Sequence, residues 1–283
     1  MSIVVNTGDD DIFYGLHVSP DIDTVTYTLA GVVNRTLGYG RENDSHATLE
    51  ALDRFYGPHW FTLGDRDLAT HIYRTERMRA GARLSQVTAE IARALGVRAE
   101  VMPMSDDQVR TFVKLRGRAP LAFQQYFVRG RARGIVERIE IRGARAAGPL
   151  PAALRAIGES AAVIMAPSNP FVSLGPILAL RGVRTLLHRI RLHVAAISPI
   201  VGGKTIKGPA DKMLRGLGMP ASALAVARLY QDIAGTFVID NADRALAPAI
   251  EKLGMRAAVT DTIMTTPEKA ARLADVVLRA LPV

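Results

Sequence analysis

LHVAAISPIVGGKTIKGPADK, residues 192–212, decides how this chain folds. Its first third is apolar without alternation, which suits a strand buried on both faces rather than one with a wet side. Three glycines and two lysines follow, and Pro209 then opens a helical pattern. The same strand, loop and helix succession recurs on both sides. Upstream stand a predicted helix over Pro151 to Ile157, the apolar run AAVIMAPS (161–168) and a helical stretch from Ile177 to Ile190. Downstream come a helix near Ala223 to Gln231, the strand GTFVID (235–240), a helix through Ala247 to Leu253, RAAVTD (256–261) and a last helix from Pro267. Such alternation predicts an α/β fold with a Rossmann-like, mainly parallel sheet and helices on both faces.

The middle of the chain reads differently. VRAEVMPM, QVRTFVKL, AFQQYFVRG and IVERIEIRG are short β-rich segments with turn residues between them and no convincing helix among the last three. They predict an antiparallel β-rich insertion over residues 98–145, with 1–97 and 146–283 forming the Rossmann-like core. Ahead of it, the pattern gives a strand at Ile3 to Asn6 and a helix from Asp23 to Val33. A loop, GYGREND, leads to helices over Leu49 to Phe55 and Arg66 to Arg79, and Ser85 is a candidate N-cap for another.

Composition narrows the functional classes. The 283 residues carry a formal charge of +9, 48% hydrophobic residues and no cysteine. That excludes a disordered tail, a disulfide framework, thiolate metal sites and a cysteine nucleophile, and makes cytoplasm the expected location. No charged start leads into a signal-like apolar stretch and no apolar run reaches the roughly 20 residues of a membrane span, so no membrane association is expected. The arginines are scattered and aromatics are only 6%, so the positive charge fits phosphorylated small molecules better than nucleic acid. HExxH and GxSxG are both absent, which removes zinc proteases and serine hydrolases of those types.

Chemistry is concentrated in a few loops. NTGDD (6–10), followed by Asp11, unloads three carboxylates behind an apolar strand. Asp9 and Asp10, with Asp21 from SPDIDTV, form a set of hard oxygen ligands suited to Mg²⁺ and to the phosphates it bridges, or else an exposed acidic turn. Asp23 reads equally as a helix N-cap and as a crevice-facing ligand. In the second half, APSNP presents Ser168 and Asn169 between prolines, while Gly202, Gly203, Lys204, Lys207 and Gly208 have the composition of a phosphate cradle. A Gly-Gly structural turn explains that loop as well. In WFTLGDRDLATHIYRT, Asp67 and His71 stand four residues apart, as metal ligands or as an ordinary helix pair. The other histidines are isolated and read as structural or surface residues.

Taken in order, NTGDDDIFYGLHVSPDIDTVTYTLAG, GYGREND, WFTLGDRDLATHIYRT, LSQVTAEIARALG, MPMSDD, FQQYFV, APSNPFVSLGPIL, ISPIVGGKTIKGPADKML and TDTIM resemble the 2-phospho-L-lactate transferases of coenzyme F420 biosynthesis, phosphoenolpyruvate-using members included. The resemblance covers nearly the whole chain. It implies transfer of a phospholactyl or phosphoenolpyruvyl group from a guanosine-diphosphate-activated donor to the deazaflavin Fo, with release of GMP and assistance from Mg²⁺, in a homodimer. Asp23 then looks like the Fo-contacting aspartate, and Thr62 occupies a second Fo-contacting position that is often lysine in the family. Asp10, with Asp9 and Asp21, supplies the metal or base candidates, and Asn6 lines the same turn. Ser168, Asn169, Ser198, Gly202, Gly203 and Lys207 would hold the guanosine diphosphate portion. Family members usually begin roughly 30 to 40 residues earlier, with a glycine-rich strand-turn unit. Its absence gives weight to a shortened inactive homologue, or to a nucleotide-sugar-binding regulator of a related family.

Overall fold

A computed structural model describes residues 1–282. In chain order the elements are β1 (Ser2–Val5), β2 (Asp11–Phe13), β3 (Leu16–Val18), α1 (Pro20–Leu29), α2 (Ala47–Tyr56), α3 (Asp65–Arg79), α4 (Leu84–Ala94), β4 (Glu100–Pro103), β5 (Arg110–Leu115), β6 (Leu121–Ala122), β7 (Val136–Arg142) and α5 (Pro151–Glu159). There follow β8 (Val163–Met165), α6 (Leu174–Ala179), α7 (Val183–Arg189), β9 (Val194–Ile197), β10 (Ile200–Val201), β11 (Lys204–Thr205), α8 (Ala210–Gly216), α9 (Ala223–Tyr230), β12 (Thr236–Asp240), α10 (Ala247–Glu251), β13 (Arg256–Thr260) and α11 (Pro267–Ala280). The chain is a mixed α/β protein with parallel sheets and helices on both sides. It divides into two compact units. One comprises residues 1–112, 121–133 and 141–153; the other comprises 113–120, 134–140 and 154–283, so residues 98–145 are shared between them.

The second unit holds a four-stranded sheet in the order β13-β12-β9-β8, parallel at every pairing. All four residues of β9 and all five of β12 are buried, which is why these runs read as continuous rather than alternating. Ala195, Ile197 and Val238 meet Leu273, Val277 and Leu281, on and just beyond α11. Alternation along a strand then turns Phe237 and Ile239, both fully buried, to the opposite face. The predicted helical stretch from Ile177 to Ile190 is two helices, α6 and α7, interrupted at Gly182, whose φ of +85° is left-handed.

In the first unit β1 pairs in parallel with β4, and Val5 and Val101 pack with Ile22 of α1 and Leu84 of α4. Three sequence expectations need correction here. Helix α1 starts at Pro20, which suits a first helical position, and ends at Leu29 rather than Val33. Gly31, at φ +73°, lets the Val32 amide reach back to the Tyr27 carbonyl and closes the helix. Asp23 is therefore inside the first turns of α1, and Ser19 holds the N-cap position. Ser85 is not the cap of α4. Arg83 precedes that helix, and Asp106 accepts from both the Ser85 amide (2.7 Å) and its hydroxyl (2.9 Å). Finally, AFQQYFVRG is not a strand beyond Ala122, because Gln125–Arg129 form a π-helical turn. Phe123 and Phe127 stack at 5.4 Å with Tyr126 buried between them in sequence, a helical aromatic pairing that overrides their β propensity.

Candidate active site

In the first unit, the turn after β1 gathers the acidic side chains into the interior. Asn6, Thr7, Asp9 and Asp10 are all buried, so the alternative of a solvent-exposed acidic turn is ruled out. Asn6 organises them: its Oδ1 accepts from the Gly8 amide at 2.8 Å, and its Nδ2 donates to Asp21 Oδ2 at 2.8 Å across to α1. The β2–β3 hairpin brings His17 back to Asp10, with Nε2 3.0 Å from Oδ2, and the Ser19 hydroxyl donates to the same oxygen at 2.7 Å. Asp10 Oδ1 and Asp9 Oδ1 have no hydrogen-bond partner, and neither has the Thr7 hydroxyl.

Leaving two carboxylate oxygens buried and unbonded is costly, and the ionisation of the group reflects it. Burial pushes the Asp9 carboxyl well above the usual range. The charges of Asp21 and Asp10 push the same way, and the polar side chains of Thr111 and Asn6 offset only part. Burial likewise carries Asp21 up to about 6, against the pull of Asn6. Close carboxylates that resist losing their protons are the environment a hard divalent cation relieves, and the donor set is all oxygen. Their oxygen chemistry suits Mg²⁺, although among the described residues Asp9, Asp10 and Asp21 are not drawn within 4.8 Å of one another as a three-ligand set.

A second buried network lies across α1 and α3. Arg74, fully buried, forks onto Asp23: Nη1 donates to Oδ2 at 3.1 Å and Nη2 to Oδ1. His71 Nδ1 lies 3.6 Å from Asp23 Oδ2, and its Nε2 lies 3.5 Å from Asp67 Oδ1, which also accepts from the Tyr27 hydroxyl at 2.7 Å. Among the described residues, Asp23, Asp67 and His71 are the group whose ligand atoms approach within 4.8 Å of one another. A metal does not fit there: the guanidinium of Arg74 already consumes both oxygens of Asp23 and adds like charge. Burial raises the Asp23 carboxyl while Arg74 and His71 pull it back. Burial alone would lower the Arg74 guanidinium, but Asp23 holds it above its ordinary value.

The sequence reading missed Arg74 and undervalued His17. Asp67, His71 and Arg74 recur at i, i+4 and i+7, a polar stripe on one face of α3 that signals a buried network when the rest of that face is apolar. Nothing local in the sequence ties His17 to Asp10. Thr62 is exposed on the segment leading to α3, outside both networks of bonds.

The second unit presents loops beyond the carboxyl ends of its parallel strands, where ligands of open α/β sheets bind. Ser168 and Asn169 follow β8 and Ser198 follows β9. Asn169 Oδ1 accepts from the Phe171 amide at 2.9 Å, and the Ser198 hydroxyl bonds the Ile200 amide (3.1 Å) and carbonyl (2.9 Å). Gly202 and Gly203 form the two-residue turn of the β10–β11 hairpin, both left-handed at φ +57° and +80°. The Gly202 amide is taken by Asp243 at 3.0 Å, and Lys207 is exposed beyond the hairpin. The loop is thus a structural turn, a conformation compatible with a phosphate cradle as well. Asn6, Asp9, Asp10, Asp21 and Asp23 thus belong to the first unit, and Ser168, Asn169, Ser198, Gly202, Gly203 and Lys207 to the second.

Comparison with known proteins follows the same span. The family model described as 2-phospho-L-lactate transferase CofD matches residues 1–274. The 2-phospho-L-lactate transferase of Methanosarcina mazei is 38% identical over 280 residues, covering 99% of this chain and 91% of that one. The phosphoenolpyruvate transferase of Kitasatospora aureofaciens is 39% identical over 283 residues, covering 98% and 88%. A crystal structure of a Bacillus halodurans protein shares the fold at a TM-score of 0.62 and 15% identity, covering 98% of this chain and 91% of that one. Among the described residues, no helix is long and apolar enough to cross a membrane.

Proposed function

Because this chain belongs to the CofD family of 2-phospho-L-lactate transferases and is an enzyme, we propose that it moves a phospholactyl or phosphoenolpyruvyl group from a guanosine-diphosphate-activated donor to the ribityl hydroxyl of Fo, in coenzyme F420 biosynthesis. The hydroxyl oxygen attacks the phosphorus that carries the lactyl or enolpyruvyl group, the bond from that phosphorus to the GMP oxygen breaks, and GMP departs with the electron pair. The hydroxyl proton passes to a carboxylate.

The observation that carries this reading is the pair of unbonded buried oxygens, Asp9 Oδ1 and Asp10 Oδ1, in a family matched from end to end. Asp9 would receive the hydroxyl proton once a cation held beside it had drawn its raised carboxyl into the ionised form. Asp10, aligned by His17 and Ser19, and Asp21, aligned by Asn6, would hold Mg²⁺, which when bound offsets diphosphate charge. Asp23, with both oxygens on Arg74, orients the acceptor rather than taking its proton. Ser168, Asn169, Ser198, the Gly202–Gly203 turn and Lys207 would receive the guanosine diphosphate portion. Thr62 would contact Fo through its hydroxyl, and the working assembly would be a homodimer.

Mass spectrometry of reactions containing Fo, Mg²⁺ and each guanylylated donor tests the proposal and identifies the donor together. Product formation with release of GMP is expected. Asp10→Asn is expected to lower turnover on the order of 100-fold or more, with the melting temperature retained. Wild-type turnover in that variant would remove Asp10 from the mechanism, and no product from any donor would overturn the reaction.

A further inference from the structure

Four of the buried side-chain oxygens that lack a hydrogen-bond partner lie in the turn after β1 and on the strand beside it: Thr7 Oγ1, Asp9 Oδ1, Asp10 Oδ1 and Thr111 Oγ1. Three of them belong to NTGDD itself, and the fourth comes from β5. The Thr111 amide donates to the Gly8 carbonyl at 2.7 Å, which ties β5 to the residue before Asp9. The Thr111 side chain reaches the Asp9 carboxyl as well, since with Asn6 it favours the ionised form of that group. Yet neither Thr111 Oγ1 nor Asp9 Oδ1 completes a bond.

Packing does not ask for a hydroxyl here. Val109, Thr111, Val113 and Leu115 recur at every second residue and all are buried, so they share the inward face of β5 and of the residue leading into it. Valine has the shape of threonine without the oxygen, and it avoids the cost of burying a hydroxyl that makes no bond. Thr111 is 2% exposed, so water does not answer that hydroxyl either. A side chain that weakens the ligand-free fold and faces a reactive carboxyl is explained by what it does in the reaction.

We infer that Thr111 is a positioning residue for the transfer reaction proposed above: its hydroxyl donates to one oxygen of the ionised Asp9 carboxylate and so turns the other towards the attacking hydroxyl of the acceptor. The inference rests on that reaction and gives Thr111 no covalent bond to form or break. The direction of the hydrogen bond follows from the groups themselves. An ionised carboxylate only accepts, and a threonine hydroxyl has one proton to donate. Bonds of this charge-assisted kind are roughly twice as strong as those between neutral groups, so the contact tightens when Asp9 is in the form that the reaction uses.

Two substitutions separate the hydroxyl from the rest of the side chain. Thr111→Val keeps the shape and removes the oxygen, whereas Thr111→Ser keeps the oxygen and removes a methyl group. Thr88→Val on α4 is the control, because Thr88 is 1% exposed with an unbonded hydroxyl but stands outside the site. For each full-length variant, turnover of Fo with the donor that the wild type uses is measured beside the melting of the ligand-free chain. Thr111→Val should lower kcat roughly tenfold or more, change KM for Fo and donor by less than about twofold, and melt at or above the wild-type temperature. Thr111→Ser should melt lower, through the lost methyl group, yet turn over within about threefold of the wild type. Thr88→Val should melt at or above the wild type with turnover unchanged. A side chain needed only for packing reverses the order of the two Thr111 variants, with valine active and serine impaired. That order, or wild-type kcat in Thr111→Val, overturns the assignment of Thr111 and leaves the reaction standing. Melting of Thr111→Val well below the wild type also overturns it, because the hydroxyl would then be holding the fold. No product from the wild type with any donor removes the reaction, and this assignment with it.

Discussion

At the scale of single residues, the informative side chains are those whose charge is buried. Arg74 and Asp23 neutralise each other with no solvent exposure of the guanidinium. Removing one member leaves the other uncompensated, at a cost of about 3 to 5 kcal/mol, whereas removing both leaves no orphan charge. Arg74→Met should therefore cost that much in urea unfolding, and the Asp23→Asn, Arg74→Met double variant less than the sum of the single ones. A pair whose costs add would show the fork to be energetically idle. Asp21 supplies a test by pH. Its carboxyl is raised from 3.8 to about 6 in the folded chain, so between those values the folded form holds a proton that the unfolded form has lost. Stability from this group is full below about pH 3.8 and is lost as pH rises through 6, by at most roughly 3 kcal/mol and by less to the extent that water reaches the carboxyl. Asp21→Asn, measured without divalent cation, should flatten that fall between pH 4 and pH 7.5, and a slope equal to that of the wild type would remove Asp21 as its source.

At the scale of elements, much of the density of acidic motifs resolves into helix capping between segments distant in sequence. Asp44, at the end of GYGREND, accepts from the Arg66 amide (2.8 Å) and the Asp67 amide (3.1 Å) at the start of α3. Asp65 returns the favour to α2, accepting from the amides of Ala47 (3.1 Å) and Thr48 (3.0 Å), and is lowered to about 2 by bonds with Ser45 and Thr48. Asp106 from MPMSDD does the same for α4. A Cβ at Gly64 would press on the Asp44 carboxylate and displace it from these amides. Asp44→Ala should cost about 1 kcal/mol in unfolding free energy, the usual worth of a cap, and should fray α2 and α3 together in amide exchange. Exchange confined to α3 would separate the two caps. These partners were not legible in the sequence, since local pattern shows an acidic residue near a helix start but not that it serves another helix. The two halves differed in what could be read: β9 and β12 declare themselves by unbroken apolar runs, whereas the π-helical turn at Gln125–Arg129 hides in residues that favour strands.

At the scale of the whole molecule, the parallel α/β plan was readable because each strand carries its own apolar signature. The partition into units was not, because it depends on which distant segments pack together. The chain crosses from one unit to the other at 112/113, 120/121, 133/134, 140/141 and 153/154, so the second unit borrows two short segments from the middle of the sequence. One of them is fitted closely: a Cβ at Gly216 in α8 would lie 2.5 Å from the Val136 carbonyl oxygen, and Val136 is 1% exposed. A fragment spanning residues 154–283 keeps the whole four-stranded sheet and α11, but it loses residues 113–120 and 134–140 and uncovers the surface that Val136 and its neighbours bury. Burial of apolar surface is the main favourable term in folding, and a domain is stable by only about 5 to 15 kcal/mol, so losing one face of the core is a large part of the total. The fragment is therefore expected to retain helical circular dichroism while melting without a sharp transition and binding a hydrophobic dye. A fragment extended to begin at residue 113 should recover a cooperative melt, because it restores both borrowed segments. If 154–283 alone melted as sharply as the longer fragment, the borrowed strands would be ornamental, and residues 98–145 would belong together as an independent insertion.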